Sequence, residues 1–110
     1  MAFDALEVAL EINRTVAPLA RAIRLHDHKL AEQIRSATQS ISSNLAEGRR
    51  RVGRDRLHFF RIASGSNDEV RLHLLEAEAW GLVSGESLHG ALELLDREAA
   101  MTWRLTHPRR

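Results

Sequence analysis

The chain has 110 residues, 44% hydrophobic and 28% charged, with a net charge of +1 and no cysteine. That predicts one domain, residues 1–110, with a modest core, and it excludes disulfides, thiol catalysis and cysteine-ligated zinc. No run approaches the ~20 apolar residues of a membrane span, and the first residues lack the basic-then-apolar order of a signal peptide, so a soluble, cytoplasmic protein is expected.

The small net charge hides two asymmetries. Of the sixteen Lys and Arg residues, only Lys29 is lysine; a GC-rich genome accounts for that without any functional cause. The second is positional. From Glu47 to Arg61 six arginines face two acids, whereas from Ile62 to Ala100 two arginines face eight acids. Genome composition does not explain such segregation along the chain.

The first helix is expected over about 4–23, with Asp4 as N-cap and Glu7 completing a capping box. Its apolar residues, from Leu6 to Ile23, fill an arc of about 200°, against the ~100° that one core contact requires. Either further burial between subunits or a central place in a monomer accounts for this arc; we favour the former. Pro18 falls on the charged side, where it costs one hydrogen bond. The second helix is expected over about 28–47, with Asp27 as N-cap and Gly48 in the left-handed position after its end. Leu30, Ile34, Ala37, Ile41 and Leu45 make a narrow apolar seam, and Gln33, Ser36, Ser40, Asn44 and Glu47 make a small polar stripe. The serines weaken helix propensity, but the seam argues for one unbroken element.

The third helix is expected over about 53–80, roughly 40 Å at ~1.5 Å per residue, with Gly81 as its stop. Leu57, Phe60, Ala63, Asn67, Val70, Leu74 and Ala77 form its seam. Gly65, within Ser64-Gly65-Ser66, suggests close packing against the serines of the second helix. The fourth helix is expected over about 85–106, capped by Ser84, with Leu88, Ala91, Leu92, Leu95, Ala99 and Trp103 on its inner face. No segment alternates with period two, so no strand is expected. Four long helices with short links predict an all-α, antiparallel up-down-up-down four-helix bundle.

Three stretches carry a family likeness. Gln33-Ile34-Arg35-Ser36-Ala37 with Ser40-Ile41-Ser42-Ser43-Asn44-Leu45-Ala46-Glu47-Gly48 resembles the central motif of the 23S rRNA intervening-sequence proteins, where the second part usually reads Ser-Ile-Pro-Ala-Asn-Ile-Ala-Glu-Gly. Phe59-Phe60 through Ile62-Ala63-Ser64-Gly65-Ser66 and Glu69 is similar to that family's next segment, and Trp80-Gly81-Leu82-Val83-Ser84 to the opening of its last helix. The resemblance spans nearly the whole chain. It implies a four-helix bundle assembled as a cyclic homopentamer with no established enzymatic activity, named for reading frames within bacterial large-subunit rRNA genes. It also implies kinship to the accessory protein of diversity-generating retroelements, which binds a reverse transcriptase and nucleic acid. The chain departs from the pattern at Ser42, where Pro is usual, in lacking a Trp near the start of the first helix, and in its heavier arginine cluster.

That cluster, Arg49, Arg50, Arg51, Arg54 and Arg56, is the candidate site. Guanidinium forks suit phosphate, and repeated around an oligomer they would bind RNA or DNA through the backbone, with strong salt dependence. The alternative is a solvated surface of local Arg–acid pairs, or a cluster partly consumed at a subunit interface. Asn44 and Glu47 are expected to be structural, Glu47 as acceptor for Arg35 or Arg50. Glu86 and His89 have the Glu-x-x-His spacing of di-iron bundles but point to solvent by helical angle, and Glu69–His73 is read as a helix-stabilising pair. No nucleophile elbow or phosphate-cradling glycine loop occurs. A non-enzymatic protein without metal or cofactor is expected, either an accessory or assembly factor for nucleic acid or a protein-interaction scaffold.

Overall fold

The computed structural model describes residues 3–108. Four helices follow in order: α1 (Asp4–Arg24), α2 (His28–Arg49), α3 (Gly53–Ala79) and α4 (His89–Thr106), with a single 3-10 turn (Glu86–Leu88) leading into α4. Among the described residues there is no strand. Each helix packs on its sequence neighbours, and α1 closes the ring against α4. The long axis of the molecule, 46 Å, is close to the ~40 Å expected of a helix of 27 residues such as α3.

The core is one cluster along the bundle axis. It takes Ala5, Ala9, Ile12, Val16 and Ile23 from α1, the Leu30–Ile34–Ala37–Ile41–Leu45 seam from α2, Phe60, Ala63, Val70, Leu74 and Ala77 from α3, and Leu88, Ala91 and Leu95 from the α4 region. The α2 seam is the one the periodicity predicts, and the α3 seam holds from Phe60 to Ala77, whereas Leu57 is only half-buried and stands outside the core cluster. The α2–α3 pairing is the most extensive, and small polar side chains stand in it. There the Oγ atoms of Ser40 and Ser66 hydrogen bond at 2.7 Å, and Asn44 Nδ2 donates to the Ser40 carbonyl at 2.8 Å.

Helix ends depart from the sequence expectation in instructive ways. Asp4 is the first residue of α1, not its cap; Phe3 precedes it and no side chain caps the helix, so no capping box forms. Asp27 does cap α2, accepting from the Leu30 amide at 2.9 Å. Gly48 is not the left-handed residue after α2. It lies within the helix, buried, where a Cβ would stand 2.7 Å from Phe60 Cε1. The glycines with positive φ are Gly53 (60°) and Gly81 (73°), at the turns on either side of α3. Ser84 does not cap α4, which begins at His89 after Leu88 with no side-chain cap; its Oγ instead accepts from the Ser87 amide in the turn that precedes the helix.

Two packing expectations also change. Gly65 makes no close approach: it is exposed and a Cβ there would meet nothing within 4 Å. Ser66, one residue on, makes the contact to α2 instead. On α4, Trp103 is not in the core. It is 60% exposed and stacks on His107 with ring centroids 4.2 Å apart. The buried face runs through Leu88, Ala91, Leu95, Glu98 and Thr102, so a glutamate and a threonine stand where an apolar seam was expected.

Candidate nucleic-acid interface

The arginine cluster straddles the three-residue turn from α2 to α3, Arg50–Val52. Its local logic begins with the helix end. Arg49, Arg50 and Arg51 sit at the C-terminus of α2, where exposed carbonyls favour positive charge. Arg56, from the first turns of α3, reaches back and donates to the carbonyls of Gly48 (3.3 Å) and Arg49 (3.1 Å). It thereby acts as a side-chain cap on α2 and ties the two helices across their turn.

The other guanidiniums are only partly free. Arg50 donates to Glu47 Oε1 at 3.1 Å, and Arg51 to Glu47 Oε2 at 2.9 Å and Asp55 Oδ2 at 3.0 Å. Hydrogen bonds from Arg51 first, and Arg50 second, hold Glu47 below the usual carboxylate range, while Glu47 in turn raises the Arg51 guanidinium. Glu47 thus takes Arg50 and Arg51, and not Arg35. Arg51 also lies over the Phe59 ring, 5.2 Å from its centroid, and Arg49 over Phe3 at 5.6 Å. These are cation–π distances, and they occupy the aromatic faces beside the cluster.

Arg54 is different. Among the described residues it makes no ion pair or hydrogen bond, and spacings of four and three place it on one exposed stripe with His58 and Arg61. His58 and Arg61 lie outside the run Arg49–Arg56, and the helical spacing from Arg54 is the sequence signal that finds them. Arg104 of α4 joins the same end of the bundle. With Arg49 and Arg56 it borders a depression of 560 Å³ whose apolar lining includes Phe3, Leu57 and Leu105.

Other candidate chemistry stays apart. Glu86 and His89 are both exposed, and no group of three His, Asp or Glu side chains among the described residues is placed to hold a metal ion. His73 sits between Glu69 (3.6 Å) and Glu76 (2.7 Å) on its own helix, as a stabilising pair would. Asn44 and Glu47 are engaged in the backbone and ion-pair contacts described above. Among the described residues no helix is long and apolar enough to cross a membrane.

An all-α four-helix bundle defines the class. Residues 2–104 match the family model of the 23S rRNA-intervening sequence protein, and the chain belongs to that family. A solved structure from Bacteroides thetaiotaomicron, described as a protein of unknown function from the S23 ribosomal protein family, has the same fold: TM-score 0.87 at 15% identity, over 94% of this chain and 99% of that one. Among proteins of curated function, none matches the chain.

Proposed function

We propose that this protein is a non-enzymatic, cytoplasmic accessory or assembly factor that associates with RNA or DNA through phosphate contacts at the α2–α3 turn. The observation that carries this reading is the exposed stripe Arg54–His58–Arg61, unopposed by acids, beside a turn with four further arginines. Arg54 is the leading contact, Arg49 and Arg50 are flanking contacts, and Arg51 and Arg56 hold the turn in shape. A homopentamer is proposed with it, supported by apolar side chains left on the outer surface, Leu10 at 43%, Leu72 at 54% and Leu75 at 42% exposed. A ring would repeat the cationic turn around its axis and raise the local potential.

Fluorescence anisotropy with a labelled RNA hairpin and a labelled DNA duplex, at low and moderate salt, tests the reading. Binding is expected at low salt, weakening steeply as salt rises, with little preference for sequence. Arg54→Glu with Arg61→Glu is expected to abolish it while the helical circular dichroism stays unchanged. No binding at low salt overturns the proposal.

A second reading, a protein-interaction scaffold, draws on the pairing of Arg50 and Arg51 with acids and on the 82% exposure of Trp80 at the acidic end of α3. A reverse transcriptase is one partner consistent with the family resemblance. Recovery of a stoichiometric protein, with no nucleic acid, from cells expressing the tagged chain would favour this second reading.

A further inference from the structure

Glu98 lies on the inner face of α4 between Leu95 and Thr102. It is fully buried, and neither carboxyl oxygen has a hydrogen-bond partner. From α3, Asn67 reaches the same face of α4. Its Nδ2 donates to the Leu95 carbonyl at 2.9 Å, and its buried Oδ1 is left without a donor. Among the described residues, three buried side-chain acceptor atoms are therefore orphaned, all on Asn67 and Glu98.

No counter-charge answers them. The buried residues of α1, α2 and α3 include no titratable side chain. The half-buried titratable groups among the described residues are Asp27, Glu47, Arg71 and His73. Each is engaged elsewhere: Asp27 caps α2, Glu47 holds Arg50 and Arg51, Arg71 pairs with Asp96, and His73 lies between Glu69 and Glu76. A bare carboxylate in such surroundings is strongly disfavoured, whereas a neutral carboxyl both sheds the charge and supplies an O–H donor.

We propose that Glu98, with Asn67, forms a proton-binding site in the bundle core, and that loss of its proton loosens α4 from the other helices. The neutral carboxyl has the one donor that the three orphaned acceptors lack. The ionised form has none and adds a charge. Desolvation alone pushes the Glu98 carboxyl from an ordinary 4.5 up to about 8. Between those values the folded chain holds a proton that the unfolded chain has given up. The stability from this site is therefore complete below the unfolded value, declines as pH rises, and is gone above the folded value. Across the window the folding equilibrium constant falls about tenfold per pH unit.

The test is carboxyl ¹³C NMR of the glutamate-labelled full chain over a pH titration, with urea unfolding and amide exchange in parallel. One of the ten glutamates is expected to titrate far above the rest, and its resonance to vanish in Glu98→Gln. Wild-type folding stability is expected to lose roughly a hundredfold in equilibrium constant over two pH units within the window, relative to Glu98→Gln. Amides of α4 are expected to gain exchange on alkalinisation, after correction for the intrinsic rate, before those of α2. Should Glu98→Gln fail to fold, Glu98→Met serves as the unfolding control, and the NMR midpoint needs no variant. All ten carboxyls titrating in the ordinary range overturns the proposal. So does a high midpoint that persists without Glu98, or a wild type whose stability tracks the variant. If α4 amides open no sooner than those of α2, the loosening of α4 is overturned.

Discussion

Gly48 and Gly65 stand in helices that meet along one interface, yet a β-carbon would have opposite effects at the two. At Gly48 it would press on Phe60, an aromatic only 3% exposed. Gly48→Ala is expected to cost about 1–3 kcal/mol, the usual range for overpacking a filled core. At Gly65 the added methyl meets open space, and the chain only loses backbone freedom in the unfolded state. Gly65→Ala is expected to gain up to ~1 kcal/mol. Urea unfolding of the two variants checks both signs. The sequence marks both residues as unusual, but it does not distinguish a glycine required by a neighbour from one merely tolerated, because that depends on which way the helix is turned.

The same problem of rotation recurs for whole elements. On α2 the apolar residues form one narrow seam, and only one orientation buries it; its extent and its cap were legible from Asp27 through Leu45. On α4 two apolar edges exist, one through Leu88, Leu92 and Ala99 and the other through Leu94, Met101 and Leu105, all but buried Leu88 half-buried apart from the residues between them. The buried centre falls between the edges, about 60° from the centre of the first at 100° per residue. Choosing the first edge puts Trp103 inside and leaves Glu98 unnoticed. Thr102 is acceptable in the core because its hydroxyl donates to the Glu98 carbonyl one turn back, at 3.0 Å, and Thr38 does the same to Ile34 at 2.7 Å. Such self-satisfied threonines behave as apolar residues, which a polarity pattern does not register. Capping gives the element-scale prediction. Asp27→Ala removes a formed N-cap and is expected to cost about 1 kcal/mol. Asp4→Ala removes none and is expected to cost a few tenths through the helix dipole alone. Thermal unfolding followed by circular dichroism separates the two.

For the molecule as a whole, the bundle and its helix order were readable because four amphipathic segments joined by short turns leave few alternatives. The site was less legible. A run of arginines in sequence is a count of charge, whereas the structure sorts the run by what each guanidinium already touches. Arg56 is committed to backbone carbonyls and Arg51 to two carboxylates, and Arg54 is exposed. Binding measured against salt should therefore respond unequally. Arg54→Ala is expected to lower the salt slope by about 1, as loss of one phosphate contact does. Arg51→Ala is expected to change turn stability more than the slope. Assembly is a separate matter: light scattering that returns a stable 12.4 kDa particle at all concentrations excludes the pentamer without touching the phosphate reading.

Both tryptophans lie outside the core, Trp80 at the end of α3 and Trp103 outward on α4. The indoles are thus poor witnesses of unfolding and good witnesses of company. Their emission in the isolated chain should already resemble that of the denatured one, so a melt followed by fluorescence alone would look nearly silent. Burial of either ring by a second molecule should shift its light to the blue. Trp80→Phe and Trp103→Phe, each leaving one lamp lit, would then tell which end of the bundle had been covered.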